Sequence, residues 1–491
     1  MNSISSNPSK NRTDALLGDI DNWSHAQYAQ LYYNDNRDKY IWSNKTGWYY
    51  YDKNNILVSS GKEPPFDLLN NIIDYLSKYI KYQMSKISID NDDYIKTQKS
   101  YIKANKLISS STFSKAIIVL LNKYYYIENI DDKIDAKKEL FSFKNKVWDI
   151  KEGLLRDIMK DDYISRNCGY DAPMKYSTKD EIDELLFTIF EDKEIADYLL
   201  FITAMSLYTN RFEKLYILTG NGRNGKGIYM SLVQRSLGGY FQAGSNDLLT
   251  IRDEQKNCTL ANAKGTRFMS ISEPAEDERG ETKFNISMVK KLTGRDIIAP
   301  RALYRDPIEY VPQFTMFVSC NRQPSIDEMN DAIKNRFRFI HFPFTFVDKP
   351  KKIHERLIDP TLKDSINTDD ELRDAFIMYL LYIVSQDYST EKIKEPAKCV
   401  AFKDDYFNEN NDIGNFIEKY FDITDDENDK IRGADLYRMY TEDGDFKKMS
   451  GVKFSDGLKM NNIVKKKTEG NISYIGLKKK VVVEEPSSLD I

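Results

Sequence analysis

Three side chains in this sequence have the type and setting to handle a phosphoryl group: Lys226, Glu273 and Asn321. Lys226 ends the run Gly220-Asn221-Gly222-Arg223-Asn224-Gly225-Lys226, and Gly227 and Ile228 follow it. A bound polyphosphate needs several converging N–H donors, a positive helix N-terminus and one cation within reach of the β and γ oxygens. Glycines let the backbone approach closely, and the lysine supplies the cation. The stretch from Gly220 to Ile228 is therefore a candidate cradle for ATP; the plainer reading is a Gly-rich turn that only closes a β–α unit. The residue after the lysine is ordinarily Ser or Thr, whose hydroxyl binds Mg²⁺. Here it is Gly227, so water or another side chain must hold the metal. Glu273 ends an apolar run and is the candidate to polarise the attacking water or to hold Mg²⁺ through water. Ser272 stands where a second acid is common, and the bland reading of Glu273 is an ordinary loop acid. Asn321 sits at the tip of another apolar run. It can hydrogen-bond a γ-phosphate and the lytic water, or simply turn the chain before Pro324.

Strands and helices must carry these residues. Residues 215–219 read as a short β-prone strand into the Gly-rich turn, with a helical pattern through 236. Residues 266–272 and 314–319 read as buried strands, and 297–310, with Arg301, Tyr304 and Arg305, as a hairpin. Upstream, 181–207 is an apolar helical region. Residues 14–33, 68–85 and 94–126 read as helices, 39–59 as an aromatic-rich hairpin, and 141–164 as short strands. The aromatics Trp42 and Trp48 read as the core of a small module in preference to a surface for stacking bases. Downstream, 369–385 reads as an amphipathic helix. Three helices at 407–420, 433–440 and 453–460 then precede a hairpin over 464–477, the outline of a winged helix. Residues 441–480 hold ten Lys against five Asp or Glu, a local charge of +5, within a chain of net charge −4. Lys465, Lys466 and Lys467 are thus candidates for phosphate contacts on duplex DNA, or else a solvated face.

The 491 residues, 41% hydrophobic and 30% charged, describe a chain able to bury real cores over several domains. The four cysteines form no C-x-x-C pair and the three histidines are scattered, which argues against a zinc site or a disulfide framework. Residues 1–13 are polar and carry no signal-peptide core, so a disordered leader and a soluble protein of the cytoplasm or host cell interior are expected, with no membrane partner. The N-terminal D-x-D pair, Asp19 and Asp21, lies beside that leader, and no primer synthesis is expected.

The succession resembles the superfamily 3 helicases, AAA+ motors of DNA viruses, phages and plasmid-like elements, and most of all the poxvirus- and phage-type primase–helicase branch. The resemblance rests on G-N-G-R-N-G-K, Ser272-Glu273, K-K-L-T-G-R-D at 290–296, the Asn321/Pro324 pair and Asn335-Arg336 before Pro343-Phe344. It implies an α/β fold: an AAA+ P-loop ATPase core (191–345) with a mostly helical N-terminal collar module (14–190), a helical lid and linker (346–395) and a C-terminal winged-helix domain (396–491). It implies an ATP- and Mg²⁺-dependent ring helicase, a hexamer, moving 3′→5′ on single-stranded DNA. Lys226 would touch the β and γ phosphates, Glu273 would act on the water and Asn321 would be the sensor. Arg336 would be the finger lent to the neighbouring subunit, with Arg338 second. Arg301, Tyr304 and Arg305 would lie on the hairpin that follows DNA in the channel. Forked or origin DNA and a separate primase or polymerase are the implied partners. The alternative is a nucleotide-gated origin-binding initiator or scaffold that hydrolyses little, which Gly227 motivates.

Overall fold

The computed structural model describes residues 20–86, 94–174, 179–208, 212–250, 258–276, 282–301, 307–326, 331–387, 394–446, 448–468 and 471–480. The chain divides into two compact units, residues 1–149 with 154–172, and residues 150–153 with 173–491.

The second unit is built on a five-stranded sheet. Its strands are β1 (Leu215–Thr219), β2 (Phe241–Ala243), β3 (Phe268–Ser272), β4 (Thr315–Cys320) and β5 (Phe337–His341). Their order is β5-β1-β4-β3-β2, and every neighbouring pair is parallel. A parallel sheet is covered on both faces, so its strands read as continuous apolar runs. Leu215, Ile217, Met316, Val318, Met269, Ile271 and Phe339 lie in one core. On the other face, rings stack across four strands: Tyr216 on Phe317 at 5.0 Å, Phe317 on Phe268 at 4.2 Å and Phe268 on Phe241 at 5.6 Å. A one-residue slip would exchange these faces, so the ladder helps to set the register.

The apolar region over 181–207 is two helices, Lys179–Phe190 and Lys193–Ser206. Asp192 breaks it by capping the second, accepting hydrogen bonds from Glu194 N and Ile195 N. Both helices pack with Asp370–Asp387 in the second unit, so the compact boundary falls at Ala172/Pro173 where the sequence reading drew it at 190/191. The helix expected over 407–420 is also two, Ala397–Glu409 and Asp412–Tyr420. The first belongs with the sheet, because Tyr406 and Phe407 are buried in the sheet core and Tyr406 packs on Phe339. A separate core begins at Ile413 and gathers Phe416, Leu436, Tyr440, Phe454 and Leu458 from helices Asp412–Tyr420, Gly433–Glu442 and Gly451–Met460. Three antiparallel strands, Lys430–Arg432, Asn471–Ile475 and Val464–Thr468, complete that module.

The first unit joins helices His25–Asn36, Leu68–Ser85, Tyr94–Ile108 and Ser111–Tyr124 to a three-stranded meander, Tyr40–Ser43, Gly47–Tyr51 and Leu57–Gly61. The helix expected over 94–126 is broken where Ser110 caps the later one through Phe113 N. Trp48 is fully buried, and Trp42 packs on it at 5.3 Å, so these aromatics build the module's core. Residue 19 and the expected leader lie outside the described residues. No described helix is long and apolar enough to cross a membrane.

Candidate nucleotide site

The strand order reverses at β1, with β5 on one side and β4 on the other. In open α/β sheets such a switch point opens a crevice beyond the carboxyl ends of the strands. The Gly-rich turn lies there, between β1 and the helix Lys226–Leu237. Gly220 (φ +139°) and Gly225 (φ +91°) adopt left-handed backbone that L side chains rarely take. A Cβ on Gly220 would stand 2.5 Å from Phe342 O, and one on Gly225 would stand 3.1 Å from Ile189 Cγ1. Asn224 is 3% exposed; its Oδ1 accepts from Lys226 N at 3.3 Å, while Nδ2 has no hydrogen-bond partner among the described residues. A buried amide donor left open within the turn is what an anion-binding cradle would present.

Lys226 is the first residue of its helix, at the positive end of the dipole. Its side chain curls back into the turn. Nζ donates to Gly220 O at 2.5 Å and to Asn321 Oδ1 at 3.2 Å. Burial pushes the ammonium below its ordinary pKa, against the pull of the Glu273 carboxylate. Asn321 N donates to Glu273 Oε2 at 3.4 Å, and Glu273 N donates to Ser319 O at 2.8 Å. The structure thus brings Lys226, Asn321 and Glu273 into one chain of contacts. Parallel register does this: Cys320 pairs with Thr219 and Ser319 with Ser272, so three strands end side by side.

A cleft of about 540 Å³ opens beside them, lined by Glu273, Glu276, Thr282, Asn321 and Arg322 among others. Burial pushes the Cys320 thiol up to about 12, so it lines the cleft as a neutral group. A Cβ on Gly227 would meet nothing within 4 Å. No three His, Cys, Asp or Glu side chains among the described residues converge as a metal cage.

His341, one of the three scattered histidines, also stands at this site. It ends β5, pairs with Thr219, and its Nδ1 lies 3.3 Å from Thr219 Oγ1. Burial and the Lys226 charge hold its pKa below the ordinary value. Its only sequence signal is its place at the end of an apolar strand.

The structure does not bring Arg336 to this cleft. It immediately precedes β5, and because Phe337 pairs with Leu215 it lies at the amino-terminal end of the sheet. A strand of five residues spans about 16 Å, so the sheet separates Arg336 from its own turn. Arg336 Nη1 donates to Thr293 Oγ1 at 3.1 Å, and Nη2 lies 3.6 Å from Glu213 Oε2. Arg338 is turned inward on Glu395 at 3.0 Å. Arg301 is exposed, and the chain on either side of it is closed by Ile308 N to Pro300 O and by the Ile298–Tyr310 pair. Tyr304 and Arg305 lie outside the described residues. Lys465, Lys466 and Lys467 lie on the exposed strand Val464–Thr468; Lys466 pairs with Glu427 at 2.6 Å and Lys465 reaches Ser455 Oγ at 3.4 Å.

The family described as "D5 N terminal like" matches residues 27–191. The chain is 29% identical over 358 residues to a candidate helicase of Acanthamoeba polyphaga mimivirus, covering 69% of this chain and 36% of that protein. It is 25% identical over 484 residues to a candidate helicase of Invertebrate iridescent virus 6, covering 85% of this chain and 49% of that protein. It is 24% identical over 268 residues to primase D5 of Fowlpox virus, covering 50% of this chain and 33% of that protein. The chain therefore spans between a third and a half of the length of these relatives. Residues 27–191 thus match the "D5 N terminal like" family, and the chain is similar over a longer stretch to these viral proteins.

Proposed function

We propose that this chain is the motor of a viral replicative DNA helicase, driven by ATP hydrolysis. The observation that carries this reading is the contact chain Lys226–Asn321–Glu273 at the carboxyl end of the sheet. The turn from Gly220 to Ile228 cradles the phosphates through backbone N–H groups, and Lys226 swings from Gly220 O to the β and γ oxygens. Asn321 hydrogen-bonds the γ-phosphate. Glu273 orients water for attack on the γ-phosphorus and takes its proton as the bond to the ADP oxygen breaks. The residues fit a nucleotide-borne Mg²⁺. Glu273 and Glu276, which line the cleft, would hold it as hard oxygen donors. Bound there, it would neutralise charge on the transferring group.

The strand order, with the phosphate turn at its switch point, supports an AAA+ reading of the core. The position of Arg336, remote from its own turn, supports its use as a finger in a neighbouring subunit, and hence a ring, read as a hexamer. Three helices with a three-stranded antiparallel sheet support a winged-helix reading of the C-terminal module. There Lys465, Lys466 and Lys467 would meet phosphates, while Arg301, Tyr304 and Arg305 would contact single-stranded DNA, with 3′→5′ translocation. Forked or origin DNA and a separate primase or polymerase complete the expected partners, inside the host cell.

A second reading has its own observation. Gly227 leaves open space where a metal-binding hydroxyl would fit. On that reading the chain binds ATP and origin DNA as a gated initiator and turns over little. Mg²⁺-dependent ATPase activity, with and without single-stranded DNA, separates the two. DNA-stimulated turnover that Lys226→Ala abolishes supports the motor. Tight ATP binding by the unaltered chain with negligible turnover supports the initiator.

A further inference from the structure

At the amino-terminal end of the sheet one carboxylate serves two arginines. Glu213 Oε2 lies 3.6 Å from Arg336 Nη2, and Glu213 Oε1 lies 3.8 Å from Arg295 Nε. Glu213 stands just before β1 in left-handed backbone, at φ +48°. Its side chain is 41% exposed, that of Arg336 25% and that of Arg295 69%. Arg336 has a second anchor in Thr293 Oγ1, on a fully buried residue. Lys214 Nζ donates to Asn335 O at 2.6 Å, which steadies the backbone just before Arg336.

Neither arginine makes a close two-pronged pair with the carboxylate. Both contacts are long and partly exposed, and such pairs add little to stability. A contact of this kind is better suited to aiming. It removes most of the rotamers a solvated arginine samples, and it releases the guanidinium cheaply. When Arg336 leaves for a phosphate, Arg295 remains beside Glu213, so the carboxylate is not left without a counter-charge.

We infer that Glu213 is a positioning residue. It holds Arg336 in the pose from which the guanidinium reaches the nucleotide bound by a neighbouring copy of this chain, and Arg295 is the cation that stays behind. This rests on the reading of Arg336 as a finger acting in trans.

Mixed assemblies test it. A Lys226→Ala chain has a disabled phosphate turn and can lend Arg336; an Arg336→Ala chain has an intact turn and needs a lender. Mixing the two restores ATP turnover at their shared sites. Glu213→Gln is then placed in one chain or the other. In the lending chain it lowers the recovered kcat about three- to fivefold with the KM for ATP unchanged, and Glu213→Asp restores part of the loss. In the Arg336→Ala chain it adds no further loss, because no finger remains there to aim. Equal loss in both placements, or loss in neither, overturns the Glu213 assignment while leaving the trans arginine standing. No recovery on mixing Lys226→Ala with Arg336→Ala overturns the trans reading, and the assignment with it.

Discussion

The two ends of the central sheet are built on opposite plans. At the carboxyl end Lys226 is 6% exposed, held by two hydrogen bonds inside a turn shaped by backbone geometry. At the amino end Arg336 and Arg295 share one partly exposed carboxylate at 3.6 and 3.8 Å. The turn at the first end is held by hydrogen bonds within one chain, Lys226 to Gly220 and Asn321. The second holds Arg336 (25% exposed) and Arg295 (69% exposed) on long contacts to one carboxylate, remote from that turn. Binding and turnover should therefore separate by mutation, one at each end.

The largest effect is expected from Lys226→Ala, which should abolish both ATP binding and turnover; titration with a fluorescent ATP analogue checks the first and phosphate release the second. Arg336→Ala should come next. It should lower turnover by roughly 10³-fold, as removal of arginine fingers does, with ATP affinity kept within about twofold. A parallel loss of affinity would erase the contrast between the two ends. Gly225→Ala should cost about 1–2 kcal/mol of stability, because alanine must take left-handed backbone and also crowd Ile189. Chemical denaturation measures this, and weaker ATP binding should accompany it.

Gly227→Ser should be nearly neutral for stability, within about 0.5 kcal/mol, since its Cβ meets nothing and serine is the better helix former. It should raise Mg²⁺-dependent turnover if the missing hydroxyl limits the metal shell. An unchanged rate across a Mg²⁺ titration would show that water and carboxylates already suffice. The smallest effect concerns His341. Its pKa in the fold lies below its ordinary value, so its contribution to stability is present above about pH 6.5 and is lost as pH falls through the lowered value. His341→Gln should flatten the acid side of the thermal-stability profile, and an unchanged profile would remove His341 from the site's electrostatics.

Much of the carboxyl end was legible in the sequence. The run from Gly220 to Lys226 carries its own conformational signature, because Gly220 and Gly225 take left-handed backbone that favours glycine. Glu273 and Asn321 were legible as residues just after apolar strands. His341 was not, although it stands in the same relation to β5; a lone histidine carries no local signal. The helix breaks at Ser110 and Asp192 were missed because one capping side chain competes quietly with a long apolar period. The sequence reading placed residues 396–409 with the C-terminal module, whereas Tyr406 and Phe407 pack in the sheet core, since periodicity marks an apolar face without saying what covers it.

The sequence by itself determined the local pieces: the Gly-rich turn, the strand that leads to it, the buried aromatic meander and the basic C-terminal strand. These depend on φ preferences, apolar period and charge, which act over a few residues. Only the tertiary structure decided which pieces meet. Parallel pairing sets Asn321 beside Lys226 across 95 residues of chain, places His341 at the turn, and carries Arg336 to the opposite end with Glu213. A parallel sheet joins strands through long crossovers, so neighbours in space are remote in sequence, and strand order is set by packing across the whole unit.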